Sequence, residues 1–200
     1  MKKIYSLVLL LTVTVGFAQQ KFSKDSVLIF RKELNAEYAD KDKSPLQAKD
    51  LKHFKGLEFF AVDEKFFVNA KFVRTEKEKP FEMPTSTDRK PMYVKYGEIS
   101  FTLNGKEYKM NVYRSLDLAK IEKYKNDLFL PFTDLTSGNE TYGGGRYIDL
   151  KIPAGKTIAV DFNKSYNPYC AYNHKYSCPV PPEENFLKTE IKAGIKKFHD

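Results

Sequence analysis

The amino-acid sequence predicts an all-β fold, a β-sandwich or a partly open barrel, preceded by one or two N-terminal α-helices. Three observations lead there. Apolar residues recur at helical spacing early in the chain, they alternate every second residue from Leu57 onward, and two alternating runs meet at an Asn-Gly pair. A sheet with one apolar face must bury it against a second layer or by closing on itself.

The chain opens on a sorting pattern. Lys2 and Lys3 form a basic start, Ile4 to Val15 an apolar run, and Gly16 and Ala18 supply small residues at the cleavage positions. The expected organisation is a signal peptide over 1–18, a helical segment over 19–56 packed on the core, and a β-rich domain over 57–200. The apolar run is shorter than the ~20 residues a membrane-spanning helix needs, so no transmembrane anchor is expected. The product is expected to be exported, to the periplasm or the extracellular space.

Residues 23 to 39 place Val27, Phe30, Leu34 and Tyr38 on one stripe, which predicts an amphipathic helix. Ser44, Pro45 and Gln47 then read as a capping box that opens a short second helix ending near His53. Phe66, Val68, Ala70 and Phe72 alternate with polar residues and predict a half-buried strand. Residues 75 to 92, charged and containing prolines, read as a surface loop. Between 93 and 115, Asn104-Gly105 reads as a type I′ turn. A two-residue turn pairs Leu103 with Lys106, Phe101 with Tyr108 and Ile99 with Met110. Leu116 to Lys125 allow a helical turn, and short strands are expected at 146–150, 157–161 and 186–191.

Charge narrows the function classes. The chain carries 34 Lys and Arg against 26 Asp and Glu, a formal +8 that falls to +6 once Lys2 and Lys3 are removed. Only five of the cations are arginines, and the lysines are interleaved with acids along the chain. Nucleic-acid readers lean on the forked guanidinium, so this pattern describes a solvated surface and no nucleic-acid partner is expected. The two cysteines, Cys170 and Cys178, would meet an oxidising compartment after export, and a disulfide between them is expected. His174 lies midway between them, but Pro168 and Pro179 oppose the helix that would gather the three as zinc ligands, so no metal is expected. Gly143-Gly144-Gly145 lacks the Lys-Ser or Lys-Thr and the following helix of a phosphate loop. No cofactor motif is present.

The last third is unusually rich in Gly, Asn, Pro, Tyr and Thr. Phe129 to Tyr147 reads Phe-Leu-Pro-Phe-Thr-Asp-Leu-Thr-Ser-Gly-Asn-Glu-Thr-Tyr-Gly-Gly-Gly-Arg-Tyr, and Asp161 to Tyr172 reads Asp-Phe-Asn-Lys-Ser-Tyr-Asn-Pro-Tyr-Cys-Ala-Tyr. Cys178-Pro-Val-Pro-Pro182 follows, with Asn185 three residues on. These blocks strongly resemble the DUF1684 family, a domain of unknown function. Its members commonly end in Ala-Gly-Glu, where this chain has Ala193-Gly194-Ile195. The resemblance implies no activity.

The blocks concentrate groups suited to recognition. The candidate ligand-binding residues are Asp134, Thr136, Glu140, Tyr142, Arg146, Asp161, Asn163, Asn167, Tyr169 and Tyr172, with Arg146 as a clamp for an anion. Their expected partner is a small polar or anionic ligand. Two other readings stand beside this one. The chain could be a hydrolase with a carboxylate pair drawn from Asp134, Glu140, Asp149 and Asp161, or a structural envelope protein whose buried polar groups satisfy one another.

Overall fold

The computed structural model describes residues 20–199. The expected signal peptide lies outside them. Helix α1, Lys24–Ala39, begins where Ser23 Oγ accepts the Ser26 N–H at 3.2 Å, with Asp25 complementing the positive end of the helix. Val27 and Tyr38 are buried and Phe30 and Leu34 half-buried, as the stripe requires, while Leu28 and Ile29 face solvent.

The expected capping box does not form. Helix α2 is the single turn Ala48–Leu51, with Gln47 at its N-cap and no side-chain cap. Ser44 instead donates to the Tyr38 carbonyl at 2.7 Å and accepts the Leu46 N–H at 3.2 Å. One of the carbonyls left unpaired at the end of α1 captures the hydroxyl that the cap needed.

Eight strands follow: β1 Phe67–Arg74, β2 Phe81–Glu82, β3 Met92–Leu103, β4 Lys106–Ser115, β5 Asp127–Asp134, β6 Arg146–Lys151, β7 Thr157–Asp161 and β8 Phe186–Leu187. They form one curled sheet in the order β6-β5-β4-β3-β1-β7, with β2 added to β3 and β8 to β5. All pairs are antiparallel except β5 with β8. The outer strands β6 and β7 approach without pairing, which makes a partly open barrel.

The β3–β4 hairpin has the expected register, Leu103 with Lys106, Phe101 with Tyr108 and Ile99 with Met110. Asn104 and Gly105 take φ of 50° and 73°, the left-handed pair that a type I′ turn demands. Two 3-10 turns, Leu118–Lys120 and Glu122–Tyr124, occupy the region read as helical, and the last expected strand shortens to β8.

Alternation along the strands sorts the side chains. Ile99, Phe101, Met110, Val112, Leu128, Leu130, Phe132, Ile148 and Leu150 turn into the barrel, where Phe162 closes on Phe101 and Phe132. Each such side chain contributes about 1.5–3 kcal/mol by leaving water. Tyr93, Tyr113, Phe129 and Tyr147 sit on the other face of the sheet. A second cluster, Tyr38, Leu46, Leu57, Tyr172 and Ile195, fastens α1 and the C-terminal segment to the barrel.

Candidate functional site

The three C-terminal blocks do converge, but they divide into two assemblies with different tasks. The first is a buried lock. Arg146, the first residue of β6, has no solvent exposure. Its guanidinium donates to Asp134 Oδ2 at 2.9 Å and to the carbonyls of Ile191 at 2.8 Å, Ala193, and Ile195 at 3.3 Å. Asp134 Oδ1 accepts from Thr136 N–H at 2.8 Å, Thr136 Oγ1 at 2.7 Å and Ile191 N–H at 3.1 Å. Burial lowers the arginine pKa and the Asp134 carboxylate opposes that shift. Arg146 therefore ties residues 191–195 across the end of the barrel. The clamp for an anion expected from the sequence has another task here, because both terminal nitrogens of the guanidinium are engaged by the chain's own carboxylate and carbonyls.

The other polar members of the blocks are also committed. Asn163 pairs with the Asp63 backbone, accepting its N–H at 3.0 Å and donating to its carbonyl at 2.9 Å, and also donates to Asp161 Oδ1 at 2.9 Å. Asn167 donates to the Lys196 carbonyl at 2.9 Å and to the Tyr172 hydroxyl at 3.3 Å. Tyr172 is buried edge-on against Tyr38. Glu140 is exposed and pairs with Lys192 at 3.1 Å. Of the four carboxylates considered for a hydrolytic pair, Asp134 lies in the lock and Glu140 at the surface, while Asp149 and Asp161, the latter held by Asn163, line one cavity together.

Cys170 and Cys178 come together, both buried, but as free thiols without the expected disulfide. The Cys170 N–H donates to Cys178 Sγ at 3.2 Å and the Tyr142 hydroxyl lies 3.8 Å from Cys170 Sγ. Hydrogen bonding between the two thiols lowers the Cys170 pKa and raises that of Cys178. Burial raises the Tyr142 pKa to about 12. His174 is exposed, and among the described residues no cluster of three or more His, Cys, Asp or Glu could hold a metal.

The second assembly is an open recess of about 480 Å³ between α1 and the outer face of β5 and β6. Its floor is Phe129, Tyr147 and Asp149. Phe30, Leu34 and Glu37 of α1 form one wall, and Tyr166, Tyr169 and Pro179 another. Backbone bonds Tyr147 N to Tyr166 O at 2.9 Å and Tyr166 N to Tyr147 O at 3.0 Å bring the second block beside the first. The rings pack edge-on, Phe129 to Tyr147 at 4.7 Å and Tyr147 to Tyr166 at 5.8 Å. Tyr147 donates to the Pro179 carbonyl, and Tyr169 to Glu37 at 2.7 Å.

Asp149 is the group in this recess with chemistry to offer. It is accessible from the cavity, yet protein surrounds it closely enough that desolvation raises its pKa, an effect the neighbouring Tyr166 hydroxyl counters. Burial, and then the Asp149 carboxylate, push the Tyr166 pKa well above its ordinary value. A second cavity of about 350 Å³ shares Phe30, Asp149 and Tyr166 with the first and continues toward Gln20 and Lys164.

Of the ten candidate residues, the recess takes only Tyr169, with Cys178 at its rim; Asp161 lines the second cavity. Phe30, Glu37, Tyr93, Phe129, Tyr147 and Tyr166 were not among them. The available signal was the alternation in β6, where Tyr147, Asp149 and Lys151 oppose Arg146, Ile148 and Leu150.

Comparison with known proteins agrees with the blocks. A family model described as "Protein of unknown function (DUF1684)" matches residues 52–196. The solution NMR structure of an uncharacterized protein from Haloarcula marismortui is similar at a TM-score of 0.68 and 32% identity, covering 86% of this chain and 93% of that one. No curated protein matches. Among the described residues, no helix is long and apolar enough to cross a membrane.

Proposed function

The chain belongs to the DUF1684 family, whose function is unknown, and on that premise we propose that it is a binding module for a small ligand held in the aromatic recess between α1 and the β5–β6 face. One observation carries this reading. Tyr147, Tyr166, Tyr169 and Pro179, drawn from all three blocks, converge on one open cavity, while the buried Arg146, Asn163 and Asn167 of the same blocks are hydrogen-bonded within the fold. A cavity of about 480 Å³ lies in the ~300–1,000 Å³ range of small-molecule sites. Thermal-shift screening of the chain against a metabolite library tests it. Stabilising compounds should lose their effect in Leu34→Trp, which fills the recess, and the reading fails if they stabilise that variant equally.

A hydrolase is the second reading, favoured by one geometric fact. Asp127 and Asp149 are diagonal neighbours on the outer face of β5 and β6, roughly 7–8 Å apart at the backbone, with Asp127 bound to Lys151 and Asp149 desolvated. Two carboxylates in unlike surroundings can serve as acid and base. Release of nitrophenol from nitrophenyl glycosides or esters, lost in Asp149→Asn, would establish it. We also propose that the protein is exported after removal of residues 1–18, supported by the basic start and apolar run, and that Cys170 and Cys178 then oxidise to a disulfide. N-terminal sequencing of the mature protein should begin at Gln19.

A further inference from the structure

We infer that the occupant of the recess is an organic cation, an ammonium group carried on a small apolar body. This deepens the binding reading and rests on it. Among the described residues, the charged side chains that line the cavity are Glu37, Asp127 and Asp149, with no Lys, Arg or His, in a chain with eight more basic than acidic side chains. That sign is the reverse of the protein's own balance, and it selects against an anionic ligand.

The walls act with the acids. Phe30, Tyr93, Tyr124, Phe129, Tyr147 and Tyr169 present rings from six separate elements of the chain, and the negative face of a ring attracts a cation as a wall of aliphatic side chains would not. The acids are not equally free to receive one. Asp127 is occupied by Lys151, and Glu37 already accepts from Tyr169. Asp149 forms no ion pair among the described residues, has the Tyr166 hydroxyl beside it, and opens on both cavities. Desolvation of its carboxylate is a cost that a bound ammonium group offsets, so Asp149 is the ion-pairing partner and the rings supply the cage.

The test separates charge from shape. Tetramethylammonium, choline and benzyltrimethylammonium are titrated calorimetrically into the chain, each beside its neutral tert-butyl isostere. Wild type should bind the best cation at least about tenfold more tightly than its isostere. Asp149→Asn, with an unchanged unfolding transition to show that it folds, should lose that preference and keep the isostere affinity. Leu34→Trp should lose both. Equal binding of cation and isostere would leave the recess as the site and refute the charge inference. Binding that survives Leu34→Trp, or no binding of any probe by wild type, would overturn the recess and the inference together.

Discussion

Replacing Asp134 with alanine strands the Arg146 charge in the barrel with carbonyl partners alone. The guanidinium keeps its bonds to Ile191, Ala193 and Ile195 but loses its counter-ion, and the N–H groups of Thr136 and Ile191 and the Thr136 hydroxyl lose their acceptor. Both side chains are wholly buried, so water cannot replace what is removed. Breaking such a pair from one side costs about 3–5 kcal/mol. For a fold of this size each kcal/mol moves the melting midpoint by about 2–4 °C, so the transition should fall by roughly 6–20 °C. Removing both charges in Asp134→Leu with Arg146→Met should recover part of the loss, since no unpaired ion remains. Urea denaturation followed by circular dichroism measures all three proteins. A cost below about 1 kcal/mol for Asp134→Ala, typical of a surface pair, would refute the reasoning and return Arg146 to the pool of ligand-binding groups.

Three further outcomes are expected. Gly194→Ala should cost more than about 2 kcal/mol in thermal denaturation, because Gly194 has φ +73° and an added Cβ would stand 2.7 Å from the Phe162 carbonyl oxygen. Asp149, whose folded pKa is raised, binds its proton more tightly in the folded chain than in the unfolded one. Its contribution to stability is therefore fully present below the ordinary carboxylate pKa and is lost as pH rises through the raised value; Asp149→Asn should flatten that limb of the pH–stability curve and be the more stable protein above it. Oxidation with a small disulfide should join Cys170 to Cys178, detectable by mass spectrometry, and raise stability by about 2.5 kcal/mol over the reduced form, a difference that Cys170→Ser abolishes.

The fold was legible wherever a local rule fixed the geometry. Asn104-Gly105 determines its own register, so the cross-strand pairs of the β3–β4 hairpin from Leu103–Lys106 out to Gly97–Val112 follow from the turn, and a bulge between Lys95 and Gly97 shifts the pairs beyond. Strand β5 was hidden by Pro131, since a proline in an interior strand removes a ladder donor. The structure tolerates it because β4 meets β5 at Tyr113 and Phe129 alone, and Asn185 bridges the gap, accepting the Asn111 N–H at 2.7 Å and donating to the carbonyls of Asn111 at 2.9 Å and Pro131 at 2.7 Å. No local pattern announces a strap that arrives from more than fifty residues away.

The site was legible in part. Arg146 shares its face of β6 with Ile148 and Leu150, and a cation in register with core residues signals a buried clasp. That parity was available, but the neighbouring glycines and acids drew the reading toward a ligand. The recess depends on contacts no strand pattern contains: Glu37 reaching Tyr169 across 132 residues, and Tyr93 joining Phe129 from β3. Long-range convergence of aromatic rings leaves no periodic trace in the chain.

Backbone amide shifts, recorded while the best organic cation is titrated into isotope-labelled protein, test the central claim most directly. The largest changes should fall on residues 30 to 37, 147 to 149 and 166 to 169, and leave the Arg146 lock undisturbed. Changes concentrated at Asp134, Thr136 and residues 191 to 195 instead would contradict the division between a buried lock and an open aromatic recess.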